Sequence, residues 1–395
     1  MRVNSYINGE WVDGTGKPWV TKNPKDGSLV SEGQFLDVVQ WVPALAKATE
    51  AGVHWGKEIE KNQSQFLMVL MGLIEREFDK WALAERDETG LDTTYLDRVQ
   101  QKLVSDIKTR MEPIGHAEGF PVGLQLMILP SVGSLECAVH MVMDAVASGN
   151  PVVIVPSRRS VGGVYEFIKS LSKIDLPVGL VNFCILDATE REMLIQHPAI
   201  RQVVVVGRPE TGKALQKLLV GSDKKLIGIH GGKNTSIVLP DANIKAAASH
   251  ILKGAFTGSG SLGVSISRVL VSQKIFAEFE SELTAQMNSQ CESDSPSAYL
   301  GALANNEIEE RLQKVLPELE SSEGKKILSW SYKGESSDYS LYRHVSFCSE
   351  WQQQFVDAPV LLVNDFKYNH EAVKWANTTP YGLTASVFTE DHEGF

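Results

Sequence analysis

A chain of 395 residues exceeds what one ordinary hydrophobic core supports, and 43% hydrophobic with 22% charged residues is the make-up of a soluble globular protein of two or more lobes. The formal net charge of −11 excludes a nucleic-acid or anionic-membrane surface as the expected partner, because holding phosphates needs clustered Lys and Arg. A small molecule or another protein is the expected partner, with no nucleic acid and no membrane.

In chain order, residues 1–30 read as short strands and turns with NGE, DGTG and NPKDG signals, the pattern of an edge flap. Residues 36–112 read as mainly helical: FLMVLMGLIEREF and YLDRVQQKLVSDI place apolar residues three and four apart with charges between them. From Leu124 short apolar strands (LQLMIL, VVIV, LVNFCIL, VVVV, KLIGI) alternate with helical stretches such as SLECAVHMVMDAVASGN, which ends on Gly149. That alternation predicts an α/β fold with a doubly wound parallel sheet, its Val- and Ile-rich strands buried on both faces, and pockets at the strands' carboxyl ends. After Gly231 the alternation resumes with TSIVL, a helix over 243–256, RVLVS, a helix near 275–286, VLLV and TASVF, which predicts a second α/β lobe. NSQCESDSPS and SSEGKK read as surface segments within it.

The longest apolar run, Phe66 to Ile74, falls far short of a membrane span, and the opening MRVNSYINGEWVDG has no apolar core of signal-peptide length. Cys137, Cys184, Cys291 and Cys348 lie far apart, with no C-x-x-C pair and no histidine at metal spacing. The expectation is a reduced, cytoplasmic protein with no metal.

Two glycine motifs invite a nucleotide reading. GRPETGKA at 207–214 follows the strand VVVV and opens a helix, the context of a phosphate-cradling P-loop, with Lys213 in place of the P-loop lysine. Ala214 has no oxygen for Mg²⁺ where such a loop needs Ser or Thr, so a P-loop NTPase is not expected, although nucleotide binding at this loop stays an alternative. GSGSLG at 258–263 has G-x-G-x-x-G spacing but follows a helix and precedes a strand, the reverse of the dinucleotide order, and reads as a loop.

Taken together, several segments resemble the aldehyde dehydrogenase superfamily, in that family's order and across essentially the whole chain, with the succinylglutamate-semialdehyde branch the nearest in flavour. They are YINGEWVDG at the start, DETG at 87–90, GNPVVIVPS at 149–157, VVGRPETGKAL, GGKNTSIVLPDANIKAA at 231–247 and TTPYGLTASVFTED. The resemblance implies two doubly wound lobes: a Rossmann-like nucleotide-binding-type domain from 1–110 and 124–228, and a catalytic-type domain from 229–395. It makes 111–123 a short remnant of the oligomerisation hairpin, and the chain stops before the family's closing segment. A monomer or weak dimer is therefore expected rather than the family-type tetramer.

The implied chemistry makes four demands. A cysteine thiolate attacks the aldehyde, an asparagine amide and a backbone N–H hold the oxyanion, a glutamate activates water, and NAD or NADP accepts hydride. Matching Phe256 and Arg268 puts the cysteine position at Gly263, which has no side chain to attack with. The glutamate before Leu-Gly-Gly-Lys falls on Ile229, and the oxyanion asparagine, counted back from Gly149-Asn150, falls on Val132. The residues that hold the adenosine ribose become Val155 and Arg158, the phosphate-loop serine becomes Arg208, and the glutamate that contacts the nicotinamide ribose falls at Gln354 or Phe355.

What the resemblance leaves for a cofactor is Gly207, Arg208, Gly212, Pro156 and Ser157, so binding of NAD or NADP is expected to be weakened. No catalytic residue is assigned. Cys137, on the helix after the oxyanion turn, and Cys291, in a polar loop, are the thiols a displaced active site would use, although Cys137 reads as a buried small hydrophobe and Cys291 as a surface thiol. His230, beside the lost base, reads as pocket lining or as a satisfied loop residue. The expectation is a degenerate, non-oxidising family member with a binding or interaction role, the alternative being an NAD(P)-dependent semialdehyde oxidoreductase with a displaced nucleophile.

Overall fold

A computed structural model describes residues 1–111, 120–291, 299–321, 324–331, 339–346 and 349–391. The chain divides into two compact units, one of Met1–Thr89 and Thr93–His230, the other of Gly90–Asp92 and Gly231–Phe395.

The first unit holds strands β1 (Ser5–Ile7), β2 (Glu10–Val12), β3 (Pro18–Lys22), β4 (Leu29–Gln34), β5 (Gln125–Ile128), β6 (Val152–Val155), β7 (Val181–Phe183), β8 (Gln202–Gly207) and β9 (Lys225–His230). Its helices are α1 (Val38–Lys57), α2 (Ile59–Thr89), α3 (Thr93–Met111), α4 (Ser134–Ala147), α5 (Gly162–Leu171), α6 (Ala188–Gln196) and α7 (Pro209–Leu218). Seven strands form a sheet in the order β2-β1-β7-β6-β5-β8-β9, with β5 to β9 mutually parallel and β1 antiparallel to β7. The Asn-Gly of the NGE signal makes the β1–β2 hairpin: Asn8 (φ 53°) and Gly9 (φ 82°) are both left-handed, as a two-residue loop matched to the strand twist requires.

The strands β5, β6 and β7 are buried along their whole length, as the run of branched aliphatics predicts, whereas β9 is largely exposed because it is the sheet's edge. Helix α1 starts on a capping box, Asp37 accepting from Val39 N–H while Gln40 reaches back to the Asp37 N–H. Helix α2 packs on α5 through Trp81, whose Nε1 donates to Ser170 Oγ at 2.9 Å and whose ring meets Phe167 edge-on at 5.1 Å.

The second unit holds β10 (Asn234–Val238), β11 (Ile266–Ser272), β12 (Lys325–Trp330), β13 (Tyr339–Arg343), β14 (Val360–Phe366) and β15 (Ala385–Phe388), with α8 (Ile244–Phe256), α9 (Phe276–Cys291), α10 (Asn306–Ser321) and α11 (Asn369–Ala376). The sheet order is β12-β13-β14-β11-β10-β15, parallel except for the β12–β13 pair. Asn243 caps α8 by accepting from Ala246 N–H at 3.0 Å. Sequence patterning placed α8, α9, β10, β11, β14 and β15 but missed α10, α11, β12 and β13. The SSEGKK surface reading is corrected at its end, since Lys325 and Lys326 open β12.

Candidate functional site

In the first unit the strand order reverses direction at β5: the chain winds outward through β6 and β7 on one side, then through β8 and β9 on the other. Ligands of open parallel sheets bind outside the strands' carboxyl ends at such a switch point. Pro156 and Ser157 follow β6, Val132 follows β5, Gly207 ends β8 with Arg208 and Gly212 after it, and Ile229 is the next-to-last residue of β9. The structure thus brings seven of the eight singled-out residues to the carboxyl ends of four adjacent strands. Gly263 belongs to the second unit.

Val132 is 4% exposed, its hydrocarbon packed in the interior where the family would present an amide. Gly133, left-handed at φ 73°, leads into α4, and the first N–H of that helix, at Ser134, donates to Glu85 Oε1 at 2.9 Å. Burial, then the neighbouring Glu88, pushes the Glu85 carboxyl up to about 8. Glu88 is raised by burial too, although it accepts from Ser31 Oγ at 2.5 Å and from Val161 and Gly162 N–H at 2.6 and 2.7 Å. Two carboxyls on α2 therefore fasten the starts of α4 and α5. Sequence reasoning took this stretch only as a family landmark; two acids at i and i+3 on an otherwise buried face were the signal.

At the phosphate loop, α7 opens on Pro209, which lacks an N–H, while Arg208 is exposed and Gly212 buried. A Cβ at Gly212 would stand 2.0 Å from His230 Nε2, and one at Gly228 2.2 Å from the same atom. The imidazole lies in a slot between α7 and β9 that only two glycines leave open, with Nδ1 3.4 Å from Gly207 O, so His230 is a packed residue. Ile229, paired with Val206, is 49% exposed and has no group that could activate water.

In the second unit, residues Thr257–Gly260 form a short 3-10 turn with Gly258, Ser259 and Gly260 all left-handed, and the following segment delivers Gly263. The Gly263 carbonyl accepts from Gly232 N–H at 3.2 Å and from Asn234 Nδ2 at 3.0 Å; the same amide donates to Ser265 O at 2.9 Å. The GSGSLG stretch is a helix-to-strand loop, as its order implied. Phe355 packs against Gly231, where a Cβ would come within 2.5 Å of its ring, and Gln354 Oε1 accepts from the Tyr381 hydroxyl at 3.1 Å. Neither supplies a carboxylate.

The Cys137 thiol, on α4, is pushed up to about 12 by burial and by Glu136 and Glu85, and burial alone pushes Cys184 to about 12. Both are protonated at neutral pH. The Cys291 side chain and Cys348 lie outside the described residues, as do 112–119 of the expected hairpin remnant. Among the described residues no group of His, Cys, Asp and Glu could hold a metal ion, and no helix is long and apolar enough to cross a membrane.

The family model described as aldehyde dehydrogenase family matches residues 11–395. The chain belongs to the aldehyde dehydrogenase family. Among curated relatives it is 24% identical to a putative aldehyde dehydrogenase, AldY, of Bacillus subtilis over 98% of this chain and 85% of that protein. It is 26% identical to human aldehyde dehydrogenase 1A1 over 98% and 82%. Among solved structures, a putative aldehyde dehydrogenase from Bacillus subtilis superposes with a TM-score of 0.90 at 22% identity, covering 98% of this chain and 90% of that one. A betaine aldehyde dehydrogenase mutant from Staphylococcus aureus, solved in complex with NAD+, superposes with a TM-score of 0.89 at 20% identity over 98% and 84%.

Val155, where the resemblance puts a ribose contact, is 1% exposed inside β6 and offers no polar side-chain atom, and the imidazole of His230 lies against Gly212 and Gly228.

Proposed function

We propose that this chain is a non-oxidising member of the aldehyde dehydrogenase family that works in the cytoplasm as a binding or interaction protein, as a monomer or weak dimer. The observation that carries the reading is the joint state of three positions. Gly263 has no nucleophile and a doubly held carbonyl, Ile229 has no base, and Val132 is buried hydrocarbon. Loss of one oxyanion donor alone costs about 10²–10³ in rate, and nothing at Gly263 replaces the thiol. The high pKa of Cys137 argues against its acting as a displaced nucleophile.

The test is NADH or NADPH formation by pure protein over a panel of aliphatic, aromatic and carboxylated aldehydes. No turnover above a no-protein control is expected. Turnover that disappears on Cys137→Ser or Cys291→Ser would overturn the reading in favour of a displaced thiol. Thermal-shift titration with NAD, NADP and ATP addresses the phosphate loop, because a ligand that binds only the folded state raises Tm. A saturable ATP shift lost in Lys213→Ala would instead support nucleotide binding at 207–214.

A further inference from the structure

We propose that Lys233 is a carbonyl-capturing amine, whose buried and partnerless Nζ, on the segment bonded to the Gly263 loop, takes a small aldehyde as a reversible imine. The proposal rests on the non-oxidising reading and gives that binding role a ligand class.

Lys233 is 3% exposed, and its Nζ has no hydrogen-bond partner among the described residues. It sits between Gly232, whose N–H donates to Gly263 O, and Asn234, whose amide holds Gly263 O and Ser265 O. Asn234 pairs with Ile266 and Thr235 with Arg268, so Ser267 is the extra residue of a bulge. On the same two segments Asn234 Oδ1 and the hydroxyls of Ser261, Ser265 and Ser267 are also buried without hydrogen-bond partners among the described residues. Five such atoms on two adjoining segments are a concentration that folds avoid, because buried polar groups are ordinarily hydrogen-bonded. A polar ligand would satisfy them.

The charge beside Lys233 is another cation. Arg268, fully buried, donates to Thr235 Oγ1, Gln352 O, Ala376 O and Thr378 Oγ1, none of them a carboxylate. Burial, and then Arg268, bring the Lys233 ammonium down to about 7, so about half of the molecules carry a free amine at neutral pH.

The step needs no oxidant. The Nζ lone pair attacks the carbonyl carbon, the C=O π pair moves to oxygen, and an N–H proton follows to give a carbinolamine. Loss of water, which carries off that oxygen and the second N–H proton, leaves C=N; hydrolysis reverses it. Because Nζ is enclosed, capture waits on a local opening of the second unit.

The experiment incubates the full chain with propionaldehyde or benzaldehyde at pH 7, reduces with cyanoborohydride and maps adducts by peptide mass spectrometry. The expected result is an alkylated Lys233 at least about tenfold more occupied than any surface lysine, whose free-amine fraction at pH 7 is about a thousandfold smaller. Labelling spread over surface lysines with Lys233 unmodified overturns the proposal. Lys233→Arg, which keeps the charge, and Lys233→Met, which keeps the bulk, should each abolish the dominant adduct while retaining a cooperative melt; a dominant adduct that persists in either also overturns it. NADH formation is read in parallel: no adduct and no NADH overturns capture alone, whereas NADH without an adduct overturns capture and the non-oxidising reading together.

Discussion

Val132 in the first unit, where the proposed reading puts the lost amide, is 4% exposed packed hydrocarbon, whereas Gly263 in the second, where it puts the lost thiol, has no side chain and lies near Ser261, Ser265 and Asn234 atoms that find no hydrogen-bond partner among the described residues. In the first loop the backbone is fastened by the Glu85 carboxyl at the head of α4. In the second it is fastened by one amide, Asn234, and one N–H, Gly232. A filled position has joined a core; an emptied one has left its polar neighbours behind. The first loop should therefore be expensive to disturb and chemically inert, and the second cheaper to disturb and still reactive.

The sharpest way to break this contrast is Glu85→Ala, which removes a fully buried side chain and uncaps α4. A loss of about 3 kcal/mol is expected in urea unfolding, with Glu85→Gln recovering at least half. A loss under about 1 kcal/mol would mean the first loop is not held this way.

Next in size is pH dependence, which should have opposite signs for the two loops. Glu85 has a folded pKa of about 8, raised above the ordinary value of 4.5, so its contribution is fully present below 4.5 and is lost as pH rises through about 8. Lys233 is depressed from 10.5 to about 7, so its contribution is fully present above 10.5 and is lost as pH falls through about 7. Denaturant midpoints across pH should flatten in the lower window for Glu85→Gln and in the upper one for Lys233→Met; flattening of both windows by either variant would erase the distinction.

Asn234→Ala should cost about 1–2 kcal/mol, because it frees the Gly263 and Ser265 carbonyls from their shared donor. The smallest effect is expected from Gly263→Cys: a stability change within about 1 kcal/mol and no NADH formation, since Ile229 and Val132 still lack a base and an amide. Turnover in this single variant would show that the two losses are not independent.

Much of the fold was legible because local and global demands agree. Runs such as VVIV and VVVV suit only buried parallel strands, and Asn8-Gly9 suits only a tight hairpin. Helix α10 was missed although Ile308, Leu312, Val315 and Leu319 recur at helical spacing, because Pro317 sits inside it and weakens the pattern. The strands β12 and β13 carry no strict alternation, and α11 spans only Asn369–Ala376, too short for periodicity to stand out. Family landmarks gave the candidate site its positions, and the sequence alone assigned no catalytic residue among them. Its positive features, the Glu85 clasp and the stranded amine of Lys233, depend on which segments meet in space. Spacing along the chain does not show that.

The imidazole of His230 has a historical consequence. With Nε2 standing 2.0 and 2.2 Å from where Gly212 and Gly228 would carry a Cβ, neither position can gain a side chain unless the imidazole moves out of the slot. A bulkier residue at 212 or 228 is therefore accepted more readily after residue 230 has become smaller, so the order in which these three positions change is not free.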